Sequence, residues 1–132
     1  MSVPIRVVVA DDHQLVLSAL EDLLADSGDF EVVASCQDGV AALDAVHRHA
    51  PDLLLLDLAM PGRDGLAVLR QLRQDSAATV TVMFVGEITD EQMQEAQDLG
   101  VGAIVMKGVH TRQLLDRITQ VYRDAVAARR EG

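Results

Sequence analysis

The sequence predicts an α/β fold: a five-stranded parallel sheet, doubly wound, with helices on both faces. Three observations predict it. Short apolar runs alternate five times with segments whose apolar residues recur every three or four positions. The connections are short, as crossovers between neighbouring parallel strands allow. One run, Leu53 to Leu56, is four consecutive leucines, the habit of a strand buried on both faces.

In chain order, Ile5 to Ala10 is β-branched and ends at Asp11-Asp12, which predicts a first strand. Val16, Ala19, Leu20, Leu23 and Leu24 then form a helical stripe over His13–Ser27, with Asp12 as expected N-cap and Gly28 as stop. Phe30 to Cys36 reads as strand two. A helix opened by Asp38 or Gly39 runs through Ala50, with Val40, Leu43 and Val46 expected inward and Pro51 ending it. Leu53 to Asp57 is strand three. The turn residues Met60-Pro61-Gly62 and Asp64-Gly65 follow it, then a helix to Gln74 with Leu66, Val68, Leu69 and Leu72. Thr79 to Val85 is strand four. Thr89 to Leu99 is a thinner helix built on Met93, Ala96 and Leu99. Ala103 to Met106 is strand five, closed by Lys107. Thr111 is the expected cap of a last helix carrying Leu114, Leu115, Ile118, Val121, Tyr122 and Ala125. One domain over 1–128 is expected, with 129–132 frayed or starting a linker.

Composition narrows the function. The net charge is −10, which lacks the basic footprint that nucleic acid requires. Phe30, Phe84 and Tyr122 are too few and scattered to stack bases. No apolar run approaches the roughly 18 residues of a membrane span. No secretory pattern opens the chain and Cys36 has no partner for a disulfide, so a cytoplasmic location is expected. His47 and His49 are spaced to lie on different sides of their helix, and Cys36 reads as a small buried residue. His13 reads as the start of the first helix, and the methionines as packing.

The chemistry collects at the carboxyl ends of the strands, where open α/β sheets bind ligands. Strand one delivers Asp11 and Asp12, strand three Asp57, and strand five Lys107. With the strand order 2-1-3-4-5 these four would meet in one crevice. That flavodoxin-like order is borrowed from known sheets of this kind, CheY among them, and does not follow from the residues. Three carboxylates so close repel one another and call for a cation. Mg²⁺ suits them, since it takes one or two carboxylates and keeps waters that a phosphate can replace. Asp57 would then be an ionised nucleophile for a phosphoryl group, and Lys107 the cation that pairs with it.

On the segments IRVVVADDH (5–13), PDLLLLDLAMPGRDGL (51–66) and GVGAIVMKG (100–108), the chain resembles the receiver domain of two-component response regulators, above all those of LuxR-type transcription regulators. The resemblance runs from Ile5 to about Ala125. It implies that Asp57 is the phospho-acceptor, charged by a sensor histidine kinase. It implies that Asp12 holds Mg²⁺ directly, Asp11 through water and Ala59 through its backbone carbonyl, and that Lys107 pairs with the phosphate. It further implies dimers through the fourth and fifth helices or the first and fifth. DNA would be reached only through a downstream helix-turn-helix domain that this chain does not contain. Such a domain assists its own phosphorylation and dephosphorylation without being an enzyme in the usual sense.

Two positions depart from the family. Where strand four of receivers ends in Thr or Ser, this chain has Val85, followed by Gly86. Where strand five carries Tyr or Phe, it has Ile104. The hydroxyl that bonds the phosphoryl group and the ring that moves with it are both missing. A hydrogen bond to a charged group is worth roughly 1.5–3 kcal/mol, so coupling of phosphate to shape should weaken about 10- to 100-fold. A phosphorylation-independent interaction module is therefore the alternative reading. A phosphohydrolase would want a second aspartate two positions after Asp57, and that position is Ala59. Ala59, Gly86 and Glu87 are expected at the rim of the pocket.

Overall fold

The structure, a computed structural model, describes residues 3–131, with the side chain of Glu131 left aside. Ten elements alternate strictly: β1 (Ile5–Ala10), α1 (Gln14–Ser27), β2 (Phe30–Cys36), α2 (Gly39–His49), β3 (Leu53–Leu56), α3 (Gly65–Gln74), β4 (Val80–Val85), α4 (Asp90–Asp98), β5 (Ala103–Met106) and α5 (Thr111–Glu131). All strands pair in parallel in the order β2-β1-β3-β4-β5. The expected α/β architecture and strand order are both present.

The four leucines of β3 divide between the two faces because successive side chains of a strand point opposite ways. Leu53 and Leu55 join Val7, Val9, Val80 and Val82 beneath α1 and α5, where Leu17, Leu24 and Ile118 pack. Leu54 and Leu56 join Val8 and Ala10 beneath α2 and α3, where Ala42, Val46, Val68 and Leu72 pack. A third cluster gathers Leu58, Leu66, Leu69, Met83, Val85 and Ala96 at the α3–α4 end of the sheet. All four leucines are at most 1% exposed. Each buried side chain of this size contributes about 1.5–3 kcal/mol, so β3 is the spine on which both layers rest.

Several local expectations are corrected. Asp12 does not cap α1: His13 holds the N-cap position in extended conformation and makes no side-chain cap bond. The cause is Asp11, whose Oδ1 accepts the His13 amide N–H at 2.9 Å and so fixes the turn one residue later. Val40 is exposed rather than inward, and the buried stripe of α2 is Ala42, Leu43, Ala45 and Val46. Asp38 caps α2 by accepting the Ala41 N–H, Asp64 caps α3 by accepting that of Ala67, and Thr89 with Gln92 forms a capping box on α4. At α5 the cap falls to His110, whose carbonyl accepts the Leu114 N–H and whose Nδ1 accepts that of Arg112. Thr111 already lies in the helix. α5 runs through Glu131. There the Arg129 guanidinium donates to the Ala78 carbonyl oxygen and ties the last turn to the sheet's far edge. Gly132 lies outside the described residues.

Candidate functional site

The site is made by three backbone bonds that carry the sheet ladder one residue past the strands. The Asp11 N–H donates to the Cys36 carbonyl at 3.0 Å, the Asp57 N–H to that of Ala10 at 2.9 Å, and the Lys107 N–H to that of Val85 at 2.6 Å. Each charged residue is thereby held at the carboxyl end of the sheet; Asp57 and Lys107 line the cleft, and Asp11 lies buried beside them. After Asp57 the chain folds back sharply, and the Gly65 N–H closes the loop on the Leu58 carbonyl at 2.7 Å. A Cβ at Gly65 would collide with the Asp57 carbonyl oxygen, so this turn requires glycine.

The four predicted residues do converge. Lys107 Nζ lies 2.7 Å from Asp11 Oδ2 and 3.2 Å from Asp57 Oδ2. Asp11 and Asp57 are buried, at 1% and 4% exposure, while Asp12 is exposed at the cleft mouth. Carboxylate oxygens of Asp11, Asp12 and Asp57 and a ring nitrogen of His13 all fall within 4.8 Å of one another. Burial pushes the Asp57 carboxyl above its ordinary range, and the Asp11 charge adds to this. The ion pair with Lys107 only partly offsets both. Burial pulls Lys107 down, but its contacts with Asp11 and Asp57 outweigh that, and the ammonium is held above its usual value.

The residues fit a divalent cation. Three carboxylates face one ammonium, which leaves two negative charges uncompensated. Asp11 Oδ2 is buried without a hydrogen bond of good geometry; its close neighbour is the Lys107 ammonium. Hard oxygen donors of this kind suit Mg²⁺. Asp12, Ala59 and Asp57 all line the same cleft.

Around the carboxylates the cleft has a volume of about 1430 Å³ and is lined by Ala59, Met60 and Pro61 from the loop after β3 and by Gly86, Glu87 and Thr89 from the loop after β4. Ala59, Gly86 and Glu87, expected at the rim, all line it. Val85 is not among them. It is fully buried in the apolar cluster with Met83 and Ala96, against which Ile104 also packs. His13 is the residue whose place the sequence reading missed. Its Nδ1 lies 3.1 Å from Asp11 Oδ1 and 3.0 Å from Asp12 Oδ1. The available signal was adjacency, since a residue directly after a strand-end acidic pair must lie at the same mouth.

The other polar residues stand apart. His47 pairs with Asp75 at 3.0 Å on the surface, and the His49 carbonyl accepts from Arg6 at 2.7 Å. Cys36 is buried, its thiol pushed up by burial and then by Asp38 and Asp44, so it is inert. Among the described residues no helix is long and apolar enough to cross a membrane.

A sequence model of the response regulator receiver domain matches residues 7–119. The response regulator VraR of Staphylococcus saprophyticus is 30% identical over 90% of this chain, which spans 57% of that protein. A protein-glutamate methylesterase/protein-glutamine glutaminase of Myxococcus xanthus is 37% identical over 94% of this chain, which spans 35% of that protein. The chain thus covers about half or less of the length of these relatives. The crystal structure of a LuxR-family DNA-binding response regulator from Staphylococcus aureus superimposes with a TM-score of 0.86 at 25% identity, covering 89% of this chain and 98% of that one.

Proposed function

The chain belongs to the response regulator receiver domain family, and on that premise we propose that it accepts a phosphoryl group on Asp57 from a sensor histidine kinase in the cytoplasm. One observation carries this reading: Asp57 is buried at a strand end, 3.2 Å from an ammonium and beside a cluster of carboxylates that fits Mg²⁺. An Asp57 carboxylate oxygen attacks phosphorus, the bond to the donor's imidazole nitrogen breaks, and the imidazole leaves with the bonding pair. Lys107 then pairs with a phosphoryl oxygen. Asp12 and the Ala59 carbonyl would hold Mg²⁺ directly together with Asp57, and Asp11 through water. When bound, the ion neutralises the carboxylates and draws negative charge off the phosphoryl oxygens. The acidic site cannot exclude phosphate once so compensated, and this chain's residues need only position the reactants.

The output consistent with VraR and the LuxR-family neighbour is transcription control, through altered dimer contacts or a DNA-binding domain outside this chain. The methylesterase relative carries a different output on a similar receiver-length segment. The dimer faces that fit are α4 with α5 or α1 with α5.

A second reading rests on Val85. Its burial in the apolar cluster, outside the cleft, supports an interaction module whose contacts do not depend on phosphate. Incubation with Mg²⁺ and acetyl phosphate, followed by intact mass and light scattering, separates the two. Gain of one phosphate, absent in Asp57→Ala, together with a change in size supports the switching receiver. Gain without any change in size or partner binding supports uncoupling. No gain moves the protein to the constitutive module.

A further inference from the structure

We propose that Phe84 is a positioning residue for Lys107: its ring is the surface over which the lysine side chain crosses β4, and it holds the ammonium where the phosphoryl group arrives. This rests on the reading above that Asp57 accepts a phosphoryl group. It goes further by giving a part in that transfer to a residue that does not line the cleft and so acts only through Lys107.

Sheet order makes the crossing necessary. β4 lies between β5 and β3, so Lys107 meets Asp57 only by spanning it. Neighbouring strands stand about 4.8 Å apart, so roughly 10 Å separates β5 from β3 and roughly 14 Å separates it from β1. A lysine that touches both Asp57 and Asp11 must lie extended across β4 at that level.

Register puts Phe84 in its path. Side chains alternate between the faces of a strand. Val9, Leu55, Val82 and Val105 share the face beneath α1 and α5, and Phe84 packs against the same cluster. Two residues on from these four stand Asp11, Asp57, Phe84 and Lys107, the next layer of that face. Leu56 pairs with Met83, which sets Phe84 beside Asp57, and Phe84 itself pairs with Val105. Phe84 is the one residue of β4 that is not fully enclosed, as suits a ring at the mouth end of the core.

The contact has the chemistry the role requires. Lys107 Nζ lies over the Phe84 ring, 6.0 Å from its centroid. The face of an aromatic ring is the negative end of its quadrupole and attracts an ammonium within about 6 Å. The ring takes up none of the three N–H groups, which stay free for Asp11, Asp57 and an incoming phosphoryl oxygen. At 6.0 Å the ammonium stands at the outer reach of this attraction, so its effect on rate is modest.

Phosphorylation of the full chain by acetyl phosphate with Mg²⁺, followed by intact mass, is compared for the wild type, for Phe84→Leu and for protein carrying pentafluorophenylalanine at position 84. Leucine keeps an apolar side chain, whereas the fluorinated ring keeps the shape and reverses the quadrupole. Both should react about two- to fivefold more slowly than the wild type. In proton NMR of the metal-free protein, the Lys107 side-chain methylenes should be shifted upfield by the ring, and that shift should vanish in Phe84→Leu. If the wild type takes phosphate and the fluorinated protein reacts as fast, or the Lys107 methylenes show no ring shift, Phe84 only fills the core: the inference falls and the phospho-acceptor reading stands. If the wild type takes no phosphate, that reading fails and this inference with it. Should Phe84→Leu not fold, the rate of the fluorinated protein decides alone.

Discussion

Lys107 Nζ lies closer to Asp11 Oδ2, at 2.7 Å, than to the acceptor Asp57, at 3.2 Å. The ammonium therefore rests against the carboxylate that is least able to reach water. Before any phosphate arrives, Lys107 compensates a buried charge, and its place in the site is secured by that duty.

Removing it should be costly. Lys107→Ala leaves Asp11 buried without a countercharge, and breaking a buried pair costs about 3–5 kcal/mol. With the lysine side chain 23% exposed, a loss near the lower end, about 3 kcal/mol, is expected in urea unfolding. The lysine's raised pKa sets the pH window. Its contribution is complete below the ordinary lysine value and is lost as pH rises through the raised value, so wild type and variant should converge at strongly alkaline pH. A variant as stable as wild type at pH 7 would contradict the ion pair.

Asp57→Asn should stabilise the protein at neutral pH without metal. The Asp57 carboxyl is raised by burial and by Asp11, so ionising it in the folded state costs stability as pH climbs through the raised value. Below the ordinary carboxyl range both states are protonated and the advantage of Asn vanishes. Thermal melts from acid to neutral pH should show the gap opening upward. Mg²⁺ should narrow it, since an ion at ten times its dissociation constant stabilises the wild type by about 1.4 kcal/mol. EDTA should restore the gap and abolish phosphorylation.

Val85→Thr should lower stability and raise responsiveness together. The hydroxyl enters a fully buried apolar position, at a cost of about 1–3 kcal/mol if unpaired. A turn of the new side chain from the core towards the cleft on phosphorylation would give it an acceptor worth roughly 1.5–3 kcal/mol. Phosphate should therefore stabilise Val85→Thr more than wild type, measured as the shift in unfolding midpoint on phosphorylation. Equal shifts would mean that position 85 does not reach the phosphoryl group.

Ala59→Glu should alter the lifetime of the aspartyl phosphate. Ala59 is exposed and lines the same cleft as Asp57, where an added carboxylate meets incoming water. Loss of phosphate followed by intact mass checks this, and an unchanged rate would count against the pocket geometry.

Much of this was legible in the sequence because two periodicities carry it. The unbroken Leu53–Leu56, bounded by Pro51 and the turn after Asp57, reads as a strand covered on both faces, and the stripe Leu66, Val68, Leu69, Leu72 as a helix laid on it. Asp11, Asp12, Asp57 and Lys107 were legible because each lies within two residues of a strand end. Val40 was misplaced because a small-residue stripe, Ala42 and Ala45 with Val46, lets α2 sit close to the sheet and rotates Val40 out. The caps moved by a residue at α1 and α5 because side-chain bonds from Asp11 and His110, invisible to periodicity, decide where the first turn begins.

By itself the sequence determined the alternation of strands and helices, the residues at the strand ends, and the absence of a hydroxyl at position 85. Those are local properties, set by side-chain period and identity. Only the tertiary structure decided which strands are neighbours, and so that Lys107 meets Asp11 before Asp57, that His13 stands beside both metal-type carboxylates, and that Val85 turns into the core instead of the cleft. These depend on contacts between residues far apart in the chain, such as Lys107 and Asp11, whose distance is fixed by sheet order and not by any pattern along the sequence.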